Sequence, residues 1–125
     1  MVKVMVKVMV EESEVTLLKK AYQAFNARDI DAALATMQPD VLWPNAMEGG
    51  TVQGRIGVRE YWTRQWGMLD PRVEPVKFNR DAESRVVVEV HQIVLDRSGK
   101  TLLDRTVEHV YVIEGGLIRS MEIRE

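Results

Sequence analysis

Residues 85–124 read RVVVEVHQIVL, DRSGK, TLLDRTVEHVYVI, EGG and LIRSMEIR in succession. The three longer pieces are rich in β-branched and aromatic residues with a period of two, and the two short pieces hold the Asp, Ser and Gly that tight connections require. Residues 73–80 precede them across Asp81-Ala82-Glu83-Ser84 and supply a fourth strand. Four consecutive strands joined by such short connections predict an antiparallel meander.

Upstream of Asp70-Pro71 the period lengthens. Ser13 reads as an N-cap, and Val15, Leu18, Tyr22 and Phe25 recur at helical spacing. Asn26-Ala27-Arg28 breaks that helix, Asp29 caps a short second one with Ala33, Leu34 and Met37 on its apolar side, and Pro39 ends it. Val41-Leu42-Trp43 is a brief strand before a Gly- and Asn-containing loop. A third helix then aligns Val58, Tyr61, Trp62, Gln65, Trp66 and Leu69 on one face. Helices gathered ahead of a meander must cover one face of it, so the expected class is α+β, a curved antiparallel sheet closed by three N-terminal helices.

At 125 residues, one domain is expected, over residues 13–125. A net charge of −2 with both signs interspersed leaves no basic stripe to follow phosphates, so no nucleic-acid partner is expected. No run approaches the roughly 20 apolar residues that cross a bilayer, so no membrane partner is expected either. The absence of cysteine removes disulfides and thiolate chemistry together, and a cytoplasmic location fits it.

Residues 1–12 stand apart. MVKVMVKVMV alternates valine with Met or Lys, which reads either as an added leader or as a strand for a sheet edge, with Glu11 and Glu12 as charged gatekeepers. Met1, Met5 and Met9 leave the start open.

All three tryptophans, Trp43, Trp62 and Trp66, fall in one short region together with Asn45, Tyr61 and Gln65. Rings supply burial and a few polar groups fix orientation, which is the make-up of a pocket for a small apolar molecule. Glu48 in the intervening loop is either a polar cavity group or an acceptor that fixes the loop. Tyr22 can add a hydroxyl from the first helix. On the strand holding residues 85–95, Val86, Val88, Val90 and Gln92 form the more apolar row, so Gln92 is expected inside and His91 outside.

The order helix, helix, short strand, helix, meander joins several local motifs: Ala24-Phe25-Asn26-Ala27-Arg28-Asp29, Pro39-Asp40-Val41-Leu42-Trp43, Gly54 before the third helix, and His109-Val110-Tyr111 running to Gly116-Leu117-Ile118. Together they resemble the SnoaL-like branch of the nuclear transport factor 2-like superfamily, to which the ketosteroid isomerases also belong. The resemblance covers about residues 13–125. It implies a cone-shaped α+β barrel with a cavity between sheet and helices, no cofactor, and a homodimer through the sheet.

The activity it implies is less defined, since isomerases, cyclases, dehydratases and binding modules share this fold. The ketosteroid isomerases place a carboxylate base at the end of the first strand. Here Asn45 stands there, and an amide cannot take a proton from carbon; Glu48, three residues on, can substitute. Glu108 aligns with their hydrogen-bonding acid, a role that burial serves by raising a carboxyl pKa. By parity with Glu108, His109 and Tyr111 then face outward and join His91, Ile93 and Ile113 in a dimer face. A slip of one residue would exchange Glu108 for His109. The two histidines lack the spacing of a metal site. Two classes remain: a cofactor-independent isomerase, cyclase or lyase using Glu108 and Glu48 on an apolar carbonyl compound bound by Tyr22, Trp43, Asn45, Tyr61, Trp62, Gln65, Trp66 and Gln92, or a non-catalytic dimeric binding protein with the same pocket.

Overall fold

The computed structural model describes residues 10–125. Residues 1–9, most of the expected leader or edge strand, lie outside the described residues, while Glu11 and Glu12, expected as its charged gatekeepers, are the N-cap and first residue of the first helix. Helix α1 (Glu12–Asn26) buries Leu18, Ala21, Tyr22 and Ala24. Its N-cap is Glu11 rather than Ser13, because the Glu14 carboxylate accepts from the Glu11 backbone N–H at 3.0 Å, the returning half of a capping box. Helix α2 (Ile30–Leu34) is capped by Asp29, whose side chain accepts from the Ala32 N–H.

Strand β1 (Met37–Pro44) starts earlier than expected, and Pro39 lies within it rather than ending a helix. A short β2 (Thr51–Gln53) leads into α3 (Gly54–Met68), with Gly54 taking the left-handed φ of 77° that the turn needs. The meander follows as β3 (Leu69–Arg80), β4 (Val86–Asp96), β5 (Thr101–Glu114) and β6 (Leu117–Arg124). The six strands run in the order β2-β1-β6-β5-β4-β3. Only β1 and β6 are parallel. The protein is therefore α+β, a curled sheet that does not close, with three helices over its concave face.

The edges decide where prolines can stand. Among the described residues β3 is an edge strand, and it tolerates Pro71 and Pro75, which have no N–H to give a neighbour. Its exposed backbone is served instead by a side chain: the Asn26 amide donates to the Val73 carbonyl at 2.7 Å and accepts from the Val73 N–H at 3.0 Å. Arg28, at a φ of 62°, bonds the Phe25 and Pro71 carbonyls and pairs with Asp70. The end of α1 is thereby fastened to the start of β3.

One irregularity sets which face of β5 looks inward. Leu95 stands opposite Thr101, and a bulge then intervenes so that Val94 stands opposite Leu103. Had the first register continued, Glu108 would oppose the buried Val88; the extra residue puts His109 there instead. Glu108 faces solvent opposite Glu89, and His109, Tyr111 and Ile113 turn toward the core. The expected dimer face thus loses three of its five residues. Among the described residues, no helix is long and apolar enough to cross a membrane.

Candidate functional site

A cavity of about 70 Å³ lies between the concave face of the sheet and helices α1 and α3. At roughly 10–15 Å³ per water molecule it has room for about five, the bulk of a single ring. Tyr22 and Phe25 come from α1 because positions 18, 21, 22 and 25 share the face turned to the sheet. Trp43 and Pro44 come from the end of β1, Tyr61, Trp62 and Gln65 from α3, and Gln92, His109, Tyr111, Met121 and Ile123 from the meander.

Trp62 is the hub of the aromatic wall. It meets Trp43 edge-to-face at 5.6 Å and Phe25 at 5.1 Å, geometries in which the positive ring edge addresses the negative ring face. Trp66 does not reach the cavity. It backs the wall behind Trp62 and Phe25, with Arg28 over its ring at 5.1 Å and its buried Nε1 without a partner.

Beside Trp43, whose ring centroid is 6.4 Å from that of Tyr111, lies a chain of three buried polar groups. The Tyr111 hydroxyl donates to Tyr22 Oη at 2.7 Å, and Tyr22 Oη lies 2.9 Å from His109 Nδ1. A phenol carries one proton. With the Tyr111 proton directed at the Tyr22 oxygen, the Tyr22 proton satisfies Nδ1, which assigns the ring proton of His109 to Nε2. Burial pushes the His109 pKa down to about 4, so the imidazole is neutral at pH 7. Burial also raises both phenols, Tyr22 being raised further by Tyr111 beside it. The site therefore offers a neutral N–H donor. Such a donor can hydrogen-bond and polarise a carbonyl without carrying charge into an apolar space.

The two carboxylates expected to move protons are both elsewhere. Glu108 is on the outer face for the reason given by the bulge. Glu48 is exposed, and hydrogen bonds from the Asn45 amide and Arg64, both at 3.0 Å, hold its carboxyl below the usual carboxylate range. Asn45 Oδ1 accepts in turn from the Glu48 N–H at 2.8 Å, so the pair closes the loop between β1 and β2 and lines no cavity. No Asp or Glu lines the cavity among the described residues.

Tyr61 ties this loop to the wall. Burial raises its pKa, and the backbone N–H groups of Met47 and Ala46 oppose that rise. Gln65 Nε2 donates to the same oxygen at 3.3 Å. His91 points outward to Asp104 at 2.7 Å. Among the described residues no three His, Cys, Asp or Glu side chains gather to hold a metal ion. The β5 residues whose expected directions are reversed are Glu108, His109, Tyr111 and Ile113. The sequence held no signal for this, since an inward Gln92 agrees with an inward Glu108 in an unbroken hairpin and only the bulge separates them.

The SnoaL-like domain family matches this sequence over residues 18–121. No curated protein matches it. Among solved structures, an NTF2-like protein of unknown function from Burkholderia pseudomallei superposes with a TM-score of 0.78 at 25% identity, over 91% of each chain. TerC, crystallised with polyporic acid, gives a TM-score of 0.78 at 27% identity over 90% of each chain. Rv0760c from Mycobacterium tuberculosis, in complex with estradiol-17β-hemisuccinate, gives 0.77 over 90% of this chain and 93% of its own. At 16% identity that last likeness is one of fold alone.

Proposed function

This chain belongs to the SnoaL-like domain family, and on that premise we propose that it binds a small, mostly apolar ring compound through one carbonyl or hydroxyl oxygen. The observation that carries this reading is the neutral chain from Tyr111 through Tyr22 to His109, lining one cavity together with the Trp43 and Trp62 rings. The indoles bury the ring, and His109 Nε2–H fixes the oxygen. Ligands crystallised with TerC and Rv0760c are ring compounds carrying oxygen, which agrees with this class. The 70 Å³ available takes about one ring, so the remainder of a larger ligand would occupy the mouth.

A second reading, a cofactor-independent isomerase, cyclase or dehydratase, draws support from His109 itself. A neutral imidazole donor stabilises charge developing on a carbonyl oxygen. It lacks a carboxylate base in the cavity, and binding is therefore the reading we favour.

Titration with 2-acetylnaphthalene, followed by quenching of tryptophan fluorescence, tests both. Saturable binding that weakens about fivefold in His109→Phe supports the reading, a neutral hydrogen bond being worth about 1 kcal/mol. Binding unchanged in that variant, or none in the wild type, overturns it. Deuterium entering the acetyl methyl group in D₂O, faster with protein than without and lost in His109→Phe, would favour the enzyme.

A further inference from the structure

The rows on the concave side of two adjacent strands, β4 and β5, change character at the same level, beside the cavity. On β4 the inward row runs Val86, Val88, Val90 and then Gln92; on β5 it runs Tyr111, His109, Val107 and then Arg105. Gln92 and Arg105 are cross-strand partners, hence on one face, and Gln92 lines the cavity. On β6 Ile123 lines the cavity opposite His109, and Glu125 lies two residues on. The three polar side chains meet: Arg105 Nε donates to Gln92 Oε1 at 3.4 Å, and the Arg105 guanidinium pairs with Glu125.

We propose that this rim reads an anionic group on the ligand, a carboxylate or its like, through Arg105. Resting on the cavity reading above, the proposal makes the preferred ligand a two-ended molecule: a carbonyl or hydroxyl oxygen at His109, an apolar ring between, and an acid at the mouth. Four residues along β5 separate His109 from Arg105, about 13 Å of strand, which the reach of the arginine side chain shortens to the length of a small ring system with one substituent. A guanidinium offers a planar fork of N–H groups that matches a carboxylate, which an ammonium does not. Glu125 takes one guanidinium nitrogen of Arg105 and its side chain is 68% exposed, so it can swing aside when a better-placed anion arrives. The Arg105 side chain is 39% exposed, so the interaction is partly screened and modest in size.

The test uses a matched pair of probes, 2-acetylnaphthalene and 6-acetyl-2-naphthoate, which differ by one carboxylate at the far end of the rings. Wild type should bind the acid about five- to tenfold more tightly than the neutral ketone, with the preference shrinking as salt rises. Arg105→Gln should abolish the preference, Arg105→Lys should restore part of it, and Glu125→Gln should enlarge it by removing the competing anion. Thermal melts of the variants check that each is folded. Equal affinity for the two probes in wild type, or a preference that survives Arg105→Gln, overturns the proposal. If the ketone itself fails to bind, the reading of the cavity falls first, and the proposal falls with it.

Discussion

The pH dependence of stability offers a direct measure of how His109 is held. In the folded protein its pKa is lowered to about 4 by burial, while an unfolded chain restores the ordinary value of 6.5. Below pH 6.5 the unfolded state therefore binds a proton that the folded state refuses. Stability is full above that value and is lost as the pH falls toward 4, the sign expected for a buried base. At pH 4.5 the linkage relation gives a loss of about 2.5 kcal/mol relative to neutral pH. With a urea dependence of about 1–3 kcal/mol per molar for a small domain, the unfolding midpoint should fall by about 0.8–2.5 M. The carboxylates whose pKa values are lowered, Asp81 and Asp96 among them, act mainly below the ordinary carboxylate range and leave this window to the imidazole. The comparison that isolates the effect is His109→Phe, which keeps a ring of similar size and removes the titration. It should be less stable at neutral pH, because the Tyr22 hydroxyl loses its partner, yet its profile between pH 7.5 and 4.5 should be flatter than wild type by the stated amount. Parallel profiles in urea titrations at several pH values would refute the burial of a neutral His109.

Trp62 is 3% exposed, and Trp62→Ala should cost about 3–5 kcal/mol, read as a lowered urea midpoint; a cost below about 1 kcal/mol would show that its packing is not what holds the wall. Tyr22→Phe leaves both the Tyr111 hydroxyl and His109 Nδ1 without a partner and should cost about 1–3 kcal/mol, with a double-mutant cycle against Tyr111→Phe giving a clear coupling energy; additivity would break the proposed chain. Because Glu108 is exposed, Glu108→Gln and Glu108→Leu should bind 2-acetylnaphthalene alike and change stability by no more than about 0.5 kcal/mol, and divergence between them would return Glu108 to the site. The outer sheet face keeps His91 and Ile93 of the five residues expected there, and a homodimer through that face is the outcome expected in sedimentation at micromolar concentration, which a monomer would refute.

Local chemistry made most of the architecture legible. Period-two runs separated by Asp, Gly and Ser mark the meander, and the 3–4 spacing of Leu18, Tyr22 and Phe25 marks α1, since both patterns follow from side-chain geometry along one element. Trp43, Tyr61 and Trp62 stood out as cavity walls because they are large, apolar and close in sequence. The boundaries were less legible. Glu11 displaces Ser13 as N-cap through a contact that a second glutamate supplies, and Pro39 sits within β1 instead of closing α2.

Which face of β5 holds the chemistry was decided by tertiary structure alone. A strand's alternation specifies two rows but not which row is inside, and a single extra residue at the Leu95–Thr101 end of the hairpin exchanges them. Sequence places Glu108 and His109 side by side with equal claim; the bulge sends the carboxylate to water and the imidazole to Tyr22. The same holds for Arg105, Gln92 and Glu125, residues 13 and 20 positions apart along the chain, which meet only because three strands run side by side. The sequence by itself determined the elements and the aromatic material of the cavity, because those depend on neighbours along the chain. Tertiary structure decided the polar groups that face it, because strand register depends on partners distant in sequence.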